Sequence, residues 1–106
     1  MKALLMILLA VPLVGCQTQL RTQQTLAFSG GDGSCCQKAV VIDGAKARET
    51  GLLGQQLWLD QNYPGYRKTK DCTLNSDTRR FDQVELTSVD GHTSNVYFDV
   101  TDWWGK

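Results

Sequence analysis

The sequence is poor in histidine, in net charge and in long apolar runs, and each shortage excludes something. Its 106 residues include one histidine, and eleven basic residues balance eleven acidic ones. Balanced charge excludes a general electrostatic footprint for nucleic acid. The one basic cluster, Arg67, Lys68 and Lys70 followed by Arg79 and Arg80, is interleaved with Asp71, Asp77 and Asp82, so it reads as a solvated, self-paired loop. The lone histidine, His92, falls in an expected hairpin turn, where a solvated side chain is the ordinary outcome. A zinc set of Cys35, Cys36, Cys72 and His92 is disfavoured, because zinc sites space their cysteines and Cys35 and Cys36 are adjacent. A single aspartate in Gly31-Asp32-Gly33 cannot supply the oxygens of a calcium loop. No nucleophile–base pair and no converging carboxylates stand out, so the expectation is a non-enzyme with no cofactor, no metal and no small-molecule substrate.

The one long apolar stretch, Ala3 to Val14, is interrupted by Pro12 and is too short to cross a bilayer, which takes ~20 residues. Lys2 precedes it and small residues end it, the marks of a secretory signal. Its end, Leu13-Val14-Gly15-Cys16, resembles the lipobox of bacterial lipoproteins. The resemblance implies cleavage before Cys16, acylation of that cysteine and attachment to a membrane, since two or more acyl chains hold a protein there stably. Gln17, where an aspartate would argue for inner-membrane retention, implies sorting to the outer membrane, facing the periplasm. The alternative is an ordinary signal peptide followed by a chance cysteine. Three segments are therefore expected: a signal peptide over 1–15, a lipidated cysteine and flexible tether over 16–34, and one small domain over 35–106. The Gln-rich stretch ending in Gly30-Gly31-Asp32-Gly33-Ser34 has tether composition. Leu26 and Phe28 are its apolar exceptions.

Within the domain, Ala39-Val40-Val41-Ile42 reads as a buried strand and Asp43-Gly44 as its break, with Asp43 a candidate N-cap. Ala45 to Asn62 has helical periodicity, with Ala45, Leu52, Leu59 and Tyr63 on one side, widened by Leu53 and Leu57. Trp58 falls opposite, over Gly51 and Gly54, either resting on its own helix or forming a docking patch. Tyr63-Pro64-Gly65-Tyr66 predicts a helix stop and a type II turn. Tyr66 to Leu74 is an expected strand and Asn75 to Arg80 a polar loop. Phe81 to Val89 and Asn95 to Thr101 predict a hairpin. Burying Val84 and Leu86 with Val96, Phe98 and Val100 requires an odd loop, such as Asp90-Gly91-His92. Glu85 and Asp99 then fall on the outer face, and Asp102 marks the strand end. The predicted fold is α+β, one helix packed on a small antiparallel sheet in the order β-α-β-β-β.

The Tyr63-Pro64-Gly65-Tyr66 stop, Tyr97-Phe98-Asp99-Val100 and the Trp103-Trp104-Gly105-Lys106 tail resemble small uncharacterised bacterial secreted and lipoprotein domains over residues 36–106. The helix-then-hairpin arrangement is also similar to PepSY-type periplasmic domains, which implies an inhibitory or binding module. Three cysteines remain beyond Cys16, and an oxidising periplasm favours a disulfide, expected between Cys36 and Cys72 because Cys72 alone is distant. Two functions are expected to compete. One is a protein-binding or inhibitory module that presents Trp58, Tyr97 and Trp103 to an envelope protein. The other is a structural envelope lipoprotein with no dedicated partner.

Overall fold

Ala27–Gly30, within the expected tether, is the first strand of the sheet (β1). The computed structural model describes residues 25–106. Cys16 and the rest of the anchor expectation lie outside them. β1 forms because Leu26 and Phe28, two apart, pack against the core while Ala27 and Ser29 stay exposed, the period-two pattern of a half-buried strand. A short 3-10 turn, Cys36–Lys38, leads into β2, Val40–Asp43. Among the described residues one α-helix, α1, spans Arg48–Asn62. It is followed by β3 (Arg67–Ser76), β4 (Arg79–Thr87) and β5 (Thr93–Asp99).

The domain is α+β, but the sheet is mixed rather than antiparallel. Its five strands run β1-β2-β5-β4-β3. β2 lies parallel to β5, Val40 opposite Phe98, and the other neighbours are antiparallel. The extra strand supplies the difference: β1 covers the outer edge of β2 and leaves its inner edge for β5. The expected polar loop at 75–80 is also mostly strand, for Ser76 pairs with Arg79 and only Asp77 and Thr78 turn the chain.

The β4–β5 hairpin buries the expected face: Val84, Leu86, Val96, Phe98 and Val100 are all core. Its loop is odd, as the register demands, but is Ser88–His92 rather than three residues. Ser88 takes both ends of that loop, its amide donating to the His92 carbonyl at 2.8 Å and its carbonyl accepting from Gly91 at 3.0 Å. The tyrosine-proline-glycine stop has its type II form, Tyr66 N–H donating to the Tyr63 carbonyl at 3.2 Å with Gly65 at φ 85°.

Helix α1 is rotated from the expected face. Its buried side is Gly51, Gly54, Gln55, Trp58 and Leu59, and Leu52, Leu53 and Leu57 are exposed. The two glycines decide this orientation by letting other elements reach the helix backbone. A Cβ at Gly54 would sit 2.6 Å from Ile42 Cγ2, and one at Gly51 would overlap the Trp103 indole. The expected cap also moves: Asp43 ends β2, and Ala47 stands at the N-cap with no side-chain bond.

Gly51→Ala separates two effects of opposite sign. Helix propensity alone predicts a gain of about 0.5–1 kcal/mol. Overlap with an indole only 1% exposed should reverse it, for a net loss of about 1–3 kcal/mol in urea unfolding. A more stable variant would show that the indole moves aside freely.

Candidate binding surfaces

The sheet has two faces of different chemistry. Toward α1, Trp58 meets Phe98 edge-on at 5.6 Å between ring centroids, and Trp103 fills the space over Gly51. Trp58 is 9% exposed and Trp103 1%. Neither is a docking ring, which corrects that expectation for both: the glycines that seemed to lie under an outward Trp58 face the core with it. Tyr97 is half-buried on the opposite face and is the one member of that trio left at a surface.

On the face away from α1, a pocket of about 500 Å³ opens over Ala39, Val41 and Phe81, with Cys36 at one side and Arg79 and Asp99 at another. Its size is that of a small-ligand site, ~300–1,000 Å³. Asp99, placed by pattern on a solvated face, is 7% exposed. Arg79 covers it as an ion pair, and Thr101 donates to it from its backbone N–H at 3.1 Å and its hydroxyl at 2.6 Å. The same hydroxyl accepts from the Arg80 amide at 2.9 Å, which ties the end of β5 to the start of β4. Arg79 is therefore neutralised by its partner, and the pocket floor is apolar.

The structure contains no bond between Cys36 and Cys72. Cys35, Cys36 and Cys72 are all free. Cys36 precedes β2, whereas Cys72 lies on β3, with β5 and β4 between those strands. Three inter-strand spacings amount to about 14 Å, and a disulfide tolerates no more than ~7 Å between Cα atoms. The pairing was expected from distance along the sequence, which does not say which strands are neighbours. No protein-family model, curated protein or solved structure matches the chain significantly. The surfaces must be interpreted from their own chemistry.

Sequence reasoning also missed a carboxyl pair in the seam between α1 and β3. Asp82, on β4, is 1% exposed and accepts from Gln55 Nε2 at 2.8 Å. Its register partner is Thr73, and the neighbouring Asp71 faces the same side. Burial pushes Asp82 up to about 7, and the hydrogen bond with Asp71 adds to the rise, against the opposing pull of Gln55. For Asp71, partial burial is outweighed by its bonds to Asp82 and to Lys68, whose Nζ lies at 3.2 Å, so it sits below the usual carboxylate value. Asp82 therefore keeps its proton through the acid range, up to about 7, while Asp71 is ionised. Both residues fall in the cluster read as a solvated loop; the signal available was the alternation Asp82, Val84, Leu86 on one strand face.

His92 is exposed in its turn, with Nδ1 3.0 Å from Asp90 Oδ2. Asp90 is held below the usual range by hydrogen bonds from Ser88 and His92. This local knot orders a loop tip and faces none of the pocket residues named above.

Proposed function

We propose that the chain is a lipid-anchored envelope lipoprotein, attached at Cys16 to the outer membrane, whose periplasm-facing domain is a non-enzymatic protein-binding or inhibitory module. The observation that supports the binding role is the outward face of α1: Leu53 is 56% exposed, Leu57 41% and Leu52 36%. One contiguous leucine stripe left in water is unusual for a helix whose other side packs on glycines. Its flanks carry Glu49 and Asp60 with Arg48 as the only cation on the helix. A helix that lies on an anionic bilayer is rich in lysine and arginine, so this face suits an apolar groove on a protein better than a lipid surface. The partner is an envelope protein with such a groove, taking the helix by its leucines at i and i+4.

Leu53→Asp/Leu57→Asp tests the reading. Both side chains are exposed, so the two changes together should alter stability by no more than about 1 kcal/mol. A photo-crosslinker at Gln56, between the two leucines, should capture one envelope protein from intact cells, and the double variant should lose it. No captured partner, together with an envelope-integrity defect on deletion, would favour a structural lipoprotein instead.

The anchor has its own test. Cys16→Ser should move the protein from the outer-membrane fraction to soluble periplasmic material. Among the described residues no helix is long and apolar enough to span a membrane. A variant that stays membrane-bound and uncleaved would refute lipidation.

A further inference from the structure

The outer edge of β3 has no neighbouring strand among the described residues. The sheet's other edge, β1, offers four residues, whereas β3 runs for ten, with every residue but Leu74 exposed. Unpaired backbone of that length is a template for another strand. Its first third is guarded. Arg67, Lys68 and Lys70 carry charge of one sign, and the ladder to β4 breaks register between Lys68 and Lys70, leaving Thr69 as an added residue. Lysines and bulges are the usual protection of an edge. From Lys70 to Ser76 the ladder is regular and the guard stops.

We propose that Lys70–Ser76 pairs antiparallel with the same segment of a second copy of this chain, about a two-fold axis at Thr73. A closed two-fold contact sets one residue opposite itself, and charge decides which. An axis at Lys70 or Asp71 opposes two like charges directly. An axis at Leu74 sets Asp71 against Asp77, and one at Cys72 confines the ladder to Lys70–Leu74 before the bulge intervenes. With the axis at Thr73, Cys72 faces Leu74, Asp71 faces Asn75 and Lys70 faces Ser76. Threonine pairs and apolar pairs of this kind stabilise antiparallel strands, and like charges do the reverse. Beyond the bulge, Lys68 falls beside Asp77, adding an opposite-charge contact at each end. Cys72 and Leu74 stand on the sheet face away from α1, beside Gln83 and Phe81 of β4, so the pairing also covers the one half-buried side chain of β3.

The register makes a distinction that other dimers do not. The two Cys72 residues sit diagonally across the axis, ~7–8 Å apart, too far for a direct disulfide. Thr73 opposes itself within disulfide reach. The full chain in detergent should show a concentration-dependent dimer by sedimentation velocity. In a chain with Cys35, Cys36 and Cys72 replaced by serine, Thr73→Cys should cross-link on addition of oxidised glutathione. Each disulfide formed there passes two electrons and two protons to one glutathione disulfide, releasing two reduced glutathiones. Peptide mapping should locate the bond between the two introduced thiols.

Asn75→Asp, which keeps an acceptor for the Arg80 Nε–H now at 2.9 Å, places aspartates opposite Asp71 twice. It should weaken the dimer about tenfold, and adding Asp71→Asn should restore it. Leu53→Asp/Leu57→Asp should leave the dimer unchanged, which separates this surface from the leucine face of α1. A monomer at every concentration would overturn the proposal. So would a dimer indifferent to Asn75→Asp, or a dimer whose thiols introduced at Thr73 fail to cross-link.

Discussion

Phe98→Ala should cost about 3–5 kcal/mol and take a large share of the domain's stability. Phe98 is fully buried, lies opposite Val40 on one side and Asp82 on the other, and receives the edge of Trp58. Removing it empties the place where α1, β2, β4 and β5 meet, and a domain of this size has only about 5–15 kcal/mol of total stability. Tyr97→Ala is the matched control. Tyr97 is the next residue on the same strand, but it points to the opposite, half-exposed face, so its loss should be clearly smaller. Urea unfolding of both variants gives the comparison. Equal losses, or a larger one for Tyr97, would mean that the two faces of β5 are reversed.

Those faces were legible in the sequence because period-two alternation is local. Val84, Leu86, Val96, Phe98 and Val100 declare a common side without knowledge of any other strand. Parity of the hairpin loop was legible for the same reason, while its length was not, since loops of three and five residues put the same residues inside. The α1 face was misread because the leucines outweighed two glycines in any count of apolar side chains. The deciding fact is non-local: Trp103, half a chain away, and Ile42 occupy the space that Gly51 and Gly54 leave. The partner of a glycine face cannot be read from the helix that carries it.

Strand neighbourhood was the second non-local quantity. A parallel β2–β5 pair places the end of the chain beside its beginning, and this separates Cys36 from Cys72. The composition of 25–34 also concealed β1, because four residues with glycine at their end look like linker until β2 supplies a partner. Of Trp58, Tyr97 and Trp103, the trio expected to form a binding surface, Tyr97 alone is left at one. The leucine stripe and the open β3 edge take the place of the two buried tryptophans.

The carboxyl pair predicts how stability follows pH. Asp82 in the folded domain binds its proton up to about 7, against an ordinary value of 3.8. Between those values the folded state holds a proton that the unfolded chain has released. The stabilisation linked to that proton is complete below pH ~4 and is lost as pH rises through about 7, with a slope of at most ~1.4 kcal/mol per pH unit. Asp71, shifted the opposite way, contributes stability above its usual value that is lost as pH falls toward and below it, so the two effects meet in an optimum on the acid side of neutrality. Lys68 on β3 is the nearest cation to the pair, through Asp71, and Gln55 is its contact from α1. Asp82→Asn mimics the protonated side chain: its amide oxygen can accept from Gln55 and its amide nitrogen can donate to Asp71. The variant should match the parent at pH 5, exceed it by ~2–3 kcal/mol at pH 8, and lose most of the slope between. Denaturant unfolding at half-unit steps from pH 4.5 to 8.5 reads all three. If parent and variant fall in parallel across that range, Asp82 carries no proton at neutrality and the seam is held by something else.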